Sequence, residues 1–116
     1  MKNYLEKRCK KILKRVGIKE GEIVLDFGCG SGNYTVPTAK IVGPKGKVYG
    51  LDEDGYKLKE LEERAKAVGL QNIELIKTSG ELEFGFEEKT FDVVLHLYRI
   101  GVWYISTIEI IQIVHI

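Results

Sequence analysis

Between positions 26 and 53 the chain gathers the residue types that a site for a charged organic ligand needs. Asp26 precedes three glycines at alternate positions, Gly28, Gly30 and Gly32, with Cys29 and Ser31 between them. Without a Cβ such a turn reaches backbone angles closed to other residues and lets a ligand approach its N–H groups. A helix starting just after the turn aims its own unpaired N–H groups at the same spot. Strand, glycine turn and helix N-terminus together make a nucleotide-type cofactor site. The spacing narrows the ligand. Dinucleotide loops read Gly-x-Gly-x-x-Gly, and here Asn33 stands in the third-glycine slot. The Gly-Lys-Ser/Thr of a P-loop is absent. Asp26 would repel a pyrophosphate and suits a ligand with a cationic end, such as an α-ammonium or a sulfonium. Asp52 closes an apolar run 20 residues after Gly32, where an acid is placed to accept both ribose hydroxyls. Glu53 and Asp54 follow; one of them is expected to cap the next helix, and Glu53 joins Asp52 in the candidate cofactor-binding set.

The stretch Val24-Leu25-Asp26-Phe27-Gly28-Cys29-Gly30-Ser31-Gly32 resembles the first motif of class I S-adenosylmethionine-dependent methyltransferases. The resemblance implies S-adenosyl-L-methionine as cofactor, its aminoacyl end on Asp26 and the glycine loop and its ribose on Asp52. Relatives commonly follow their third strand with an Asp for the adenine amino group and a small residue for the ring. Here Asn72-Ile73-Glu74-Leu75-Ile76-Lys77 is followed by Thr78-Ser79-Gly80-Glu81-Leu82, with no Asp. Counting from the strand start puts Ser79 and Gly80 in those slots; counting back from Leu82 gives Thr78. Phe91-Asp92-Val93-Val94-Leu95-His96-Leu97 matches the family's fourth strand, at whose end His96, Tyr98 and Arg99 begin the substrate-facing part. His96 joins the candidate cofactor-binding set; as a lone strand-end histidine it is open to a structural or a general-base role. The Asn-Pro-Pro-Tyr of adenine- and glutamine-amide methyltransferases is absent. The resemblance stops near Tyr98.

Periodicity supplies the elements that must hold these residues. Residues 3–16 place Tyr4, Leu5, Cys9, Ile12, Leu13 and Val16 at helical spacing, with Gly17 as the stop. Strands are expected over 23–27, 47–52, 72–77 and 91–97. Helices are expected over 33–42, with Pro37 confined to the first turn, and over 55–68, burying Leu58, Leu61, Ala65 and Val68 before Gly69. The expected fold is α/β: a doubly wound, mostly parallel sheet with a Rossmann-like methyltransferase core, truncated after the fourth strand and followed by an extra C-terminal strand. One domain spans 1–116, comprising an N-terminal helix (1–17), a cofactor-binding core (20–98) and a divergent apolar tail (99–116). The tail is too short for the crossover to a parallel fifth strand. Its β-branched residues favour a strand over a helix, lying antiparallel to the fourth strand or on another subunit.

Composition bounds the rest. The 116 residues carry a net charge of +1, against a dedicated nucleic-acid surface, and the seven Lys or Arg of positions 1–15 are expected to face solvent. Cys9 and Cys29 form no disulfide framework and have no metal-ligand spacing to the histidines; a cytoplasmic location without a metal is expected. The charged first 15 residues do not read as a signal peptide. The tail is a poor membrane anchor, being short and carrying Glu109, Gln112 and His115, and no membrane partner is expected. Its exposed edge leads to the expectation of a homo-oligomer through residues 92–116. Fourteen Lys and 13 Glu against four Asp is a thermophile-like balance. Two functions are open: a methyltransferase of unknown acceptor, and a catalytically incomplete cofactor-binding half-domain. An NAD-dependent oxidoreductase fails on the glycine spacing.

Overall fold

The computed structural model describes the backbone of residues 2–79, 91–102 and 105–115, and within these the side chains of residues 4, 6–79 and 91–95. The elements run α1 (Lys2–Val16), β1 (Ile23–Phe27), α2 (Thr35–Val42), β2 (Lys47–Asp52), α3 (Gly55–Ala67), β3 (Ile73–Lys77), β4 (Val93–Val102) and β5 (Ile105–His115). They build a five-stranded sheet in the order β3-β2-β1-β4-β5. β1 pairs in parallel with β2 and β4, β2 with β3, and β5 lies antiparallel to β4. The chain is therefore α/β with a four-stranded parallel core and one added strand. β4 extends to Val102, beyond the expected residue 97, because the antiparallel partner keeps its backbone groups paired. The ladder shifts register between Ile100 and Val102, where Gly101 sits.

The register puts Val24, Val48, Ile73, Leu75, Val93 and Leu95 on one face. Against them pack Cys9 and Leu13 of α1, Val36, Ala39 and Val42 of α2, and Leu58 and Leu61 of α3. Leu13, Val24, Val48 and Val93 lose all contact with solvent, each stabilising the fold by about 1.5–3 kcal/mol. Among the described residues all three helices lie on this face. The chain steps β1→β2→β3 in one direction through right-handed crossovers, which puts α2 and α3 on the same side. A helix reaches the other side only when the chain passes back over β1 to β4, and residues 80–90 of that return lie outside the described ones. The opposite face buries Leu25 and Leu51 with Phe91, whose ring meets Tyr49 edge-on at 5.5 Å. Asp92 fixes the start of β4 to β1, its carboxylate accepting from Ile23 N–H (2.7 Å) and its own N–H donating to Ile23 O (2.8 Å).

Two side chains depart from the periodic reading. Tyr4, placed by spacing on the core stripe of α1, is 69% exposed, and Val68 is 53% exposed. Both sit at helix ends, where the stripe has run past the sheet. Val68 is the C-cap of α3, and the buried role passes to Leu70, which packs from beyond the turn.

Candidate functional site

The carboxyl ends of β1, β2 and β3 meet at one edge, and backbone hydrogen bonds lock them together. Gly28 and Cys29 N–H both donate to Leu51 O, at 2.8 and 2.9 Å, and Thr78 N–H donates to Asp52 O at 3.0 Å. The glycine loop thus lies across the end of β2, with the start of the 78–79 loop on its far side. Asp52 holds the centre. One carboxylate oxygen accepts from Gly30 N–H (2.8 Å) and the other from Asp54 N–H (2.9 Å). Asp54 caps α3, accepting from Tyr56 and Lys57 N–H, which leaves Asp52 free of that task. Glu53 is exposed in the turn between them.

The three glycines differ. All have positive φ, at +76°, +56° and +94° for Gly28, Gly30 and Gly32. A Cβ at Gly28 would meet nothing within 4 Å, and one at Gly30 only the Lys57 stem at 3.9 Å. At Gly32 it would collide with Leu61 at 2.2 Å. Gly28 and Gly30 therefore keep an open cradle, whereas Gly32 lets the loop seat on α3. Arg64 secures the same junction, donating to Ser31 O (2.6 Å) and Asn33 Oδ1 (3.3 Å).

Asp26 lies beneath the loop, 3% exposed, and accepts a hydrogen bond from the Thr35 hydroxyl at 2.7 Å. Burial raises its pKa to about 6; the Thr35 bond opposes the rise and the nearby Asp52 charge adds to it. Two neighbouring carboxylates, Asp26 buried beneath the loop and Asp52 bonded to it, favour a cationic guest. Burial pushes the Cys29 thiol up, with Asp26 and Asp52 adding to the shift, so at neutral pH it stays protonated and is no nucleophile. Ser79 is exposed beside this edge. Position 96 pairs in register with Phe27, just before the loop, but the His96 side chain and all of Gly80 lie outside the described residues. A cleft of about 560 Å³ behind the loop is lined by Glu6, Ser31, Asn33, Lys40 and Arg64 and does not include Asp26 or Asp52. Sequence reasoning missed Thr35 and Arg64. Thr35, in the first helical turn after the loop, had a positional signal; Arg64 had none.

The sequence profile of the ubiE/COQ5 methyltransferase family matches residues 3–102. The chain belongs to this family. It is 39% identical over 85 residues to a demethylmenaquinone methyltransferase of Geobacillus stearothermophilus, covering 73% of this chain and 36% of that relative. A solved S-adenosylmethionine-dependent methyltransferase of Aquifex aeolicus superposes with a TM-score of 0.66 at 38% identity, over 72% of this chain and 44% of that one. An S-adenosylmethionine-dependent O-methyltransferase of Thermotoga maritima gives 0.64 at 29%, over 74% of this chain and 32% of that one. The chain spans about a third of the length of the curated relatives it matches. The Aquifex aeolicus and Thermotoga maritima proteins are S-adenosylmethionine-dependent, and the residues present here fit that cofactor. The cradle over Gly28 and Gly30 has room where a side chain would stand, and the acids beside it suit a cation and a pair of hydroxyls.

Proposed function

We propose that the chain binds S-adenosyl-L-methionine and serves methyl transfer to an acceptor of the demethylmenaquinone kind. The observation that carries this reading is the Asp52 carboxylate, tied to the Gly30 N–H of an open glycine cradle with Asp26 buried behind it. Asp52 would take the ribose hydroxyls; Asp26, Gly28 and Gly30 would hold the aminoacyl end; Ser79 and Gly80 would border the adenine. When bound, the cofactor supplies an electrophilic sulfonium methyl. The protein's part is to fix its orientation and keep the loop rigid through Gly32, Leu61 and Arg64. The quinone acceptor is supported by the relatives' name, demethylmenaquinone methyltransferase.

A second reading, a cofactor-binding half-domain without activity of its own, is supported by the makeup of the site. Among the described residues the acids and hydroxyl placed at this edge, Asp26, Asp52 and Ser79, are all ones this reading gives to the cofactor. A cytoplasmic location, supported by two buried cysteine thiols outside any disulfide, and a homo-oligomer through residues 92–116 complete the proposal, with the Lys- and Glu-rich composition supporting a warm habitat. Among the described residues no helix is long and apolar enough to cross a membrane.

Isothermal titration with S-adenosylmethionine, S-adenosylhomocysteine and NAD tests the reading. The first two should bind and NAD should not. Asp52→Ala removes two charge-assisted hydrogen bonds worth roughly 1.5–3 kcal/mol each, so affinity should fall at least tenfold. A folded Asp52→Ala variant with unchanged affinity would remove Asp52 from the site, and preference for NAD would overturn the cofactor assignment.

A further inference from the structure

α1 carries seven Lys or Arg against a single Glu, net +6 in a chain of net +1, which leaves −5 on everything else. The sequence alone assigns this face to solvent. The pairing of charges argues differently. Lys7, Arg8, Lys10, Lys11, Lys14 and Arg15 are all exposed, and among the described residues none enters an ion pair. The pairs formed are Lys40–Glu6, Lys47–Glu74 and Lys66–Glu62. Glu6, the one acid of α1, pairs directly with Lys40 of α2 and acts on its own helix only through the weaker field it shares with Lys10.

α3 shows how this chain builds a solvated helical face. There Lys57 and Lys59 are answered by Glu60, Glu62 and Glu63, and Glu62 meets Lys66 at 2.9 Å one turn on. α1 instead stacks like charges at i,i+4, with Lys7 below Lys11, Lys10 below Lys14 and Lys11 below Arg15, an arrangement that weakens a helix. Its apolar stripe is spent on the core through Cys9 and Leu13. What remains outside is a cationic band that can adhere to a surface and cannot insert into it, with Tyr4 exposed at its first turn.

We propose that the outer face of α1 docks on an anionic phospholipid bilayer. This rests on the reading of the acceptor as a quinone of the demethylmenaquinone kind, an apolar molecule that must be met at a membrane. The charge distribution favours a plane over a nucleic acid. A planar surface needs contact with the +6 helix alone, and the rest of the sequence carries the opposite sign, net −5. An RNA that followed the protein beyond α1 would leave the cationic band for a cleft of mixed charge, where Glu60 and Glu63 stand with Arg64, and Glu6 with Lys40. The same cleft contains Ser31 and Asn33, so the first turns of α1 stand next to the glycine loop. Docking by α1 brings the cofactor edge near the headgroups.

The test is flotation of the full chain with phosphatidylglycerol/phosphatidylcholine vesicles and with phosphatidylcholine alone. The chain should float with the anionic vesicles only, and release as salt rises from about 0.05 M to about 0.5 M. The quadruple variant Lys7→Gln, Lys10→Gln, Lys11→Gln, Lys14→Gln should lose at least a hundredfold in partitioning, at about fivefold per cation, while keeping its unfolding temperature and its S-adenosylmethionine affinity. Equal binding to neutral vesicles, or a folded quadruple variant that floats like the parent, overturns the proposal. So does transfer RNA that strips the chain from anionic vesicles at equal phosphate, which reassigns the face to nucleic acid. Absent flotation with intact S-adenosylmethionine binding rejects the docking and leaves the methyltransferase reading standing.

Discussion

Asp26 concentrates the electrostatics of the site in one side chain. Its carboxyl is buried, bonded to Thr35 and held at a pKa of about 6, against an ordinary 3.8. A raised folded-state pKa means that its contribution to stability is complete below pH 3.8 and is lost as pH rises through 6, a swing of roughly 3 kcal/mol. Asp26→Asn should remove that dependence, so that the variant's unfolding free energy no longer falls between pH 4 and pH 6 when measured by denaturant titration. Ligand binding should run the other way. Below about pH 6 the neutral acid cannot pair with a cation, so S-adenosylmethionine affinity should rise between pH 5 and pH 7 and level off above. A flat profile across that window would detach Asp26 from the ligand's cationic end.

At the scale of elements, the loop between β1 and α2 is positioned by α3. Gly32 combines φ +94° with a Leu61 contact that leaves no room for a Cβ, while Gly30 has φ +56° and open space. Gly32→Ala should therefore destabilise by at least about 1–3 kcal/mol through overpacking, and more than Gly30→Ala, as read from thermal unfolding. Gly30→Val should abolish cofactor binding, because a β-branched side chain fills the cradle and resists positive φ. Normal titration by that variant would show that no ligand approaches the backbone there. Arg64→Ala deletes a charge-assisted bond to Ser31 O and a second to Asn33. The expected outcome is cofactor affinity several-fold weaker with little change in unfolding temperature, since Arg64 restrains the loop and is only partly buried.

For the molecule as a whole, the sheet ends on β5, an 11-residue strand rich in isoleucine whose outer edge has no neighbour among the described residues. Open edges of that length and composition pair with further strands. The expected outcome is a homodimer or larger assembly joined through residues 92–116, seen by light scattering, and a smaller species for a chain ended at Arg99. A monomeric full chain at micromolar concentration would mean that β5 closes the sheet by itself.

Local signals sufficed for the strand–glycine–helix unit, for the places of Asp26 on β1 and Asp52 at the end of β2, and for most element bounds, because each depends on residues adjacent in sequence or at a fixed period. β2 falls on residues 47–52 as read, and Pro37 lies in the first turn of α2. The tail's preference for a strand was legible in its β-branched composition; its place beside β4 was decided by the hairpin geometry, since only residues 103–104 separate the two strands. Tertiary structure alone set the Gly30–Asp52 bond across 22 residues, the Arg64–Ser31 bond across 33, and the division of labour between Gly30 and Gly32. It also decided that Asp54, and not Glu53, caps α3. Periodicity reports which face of an element is apolar, and it carries no record of where that element ends against its neighbours. That is why Tyr4 and Val68 read as core and stand in solvent, and why the protonation of Asp26 became readable only once the fold had buried it.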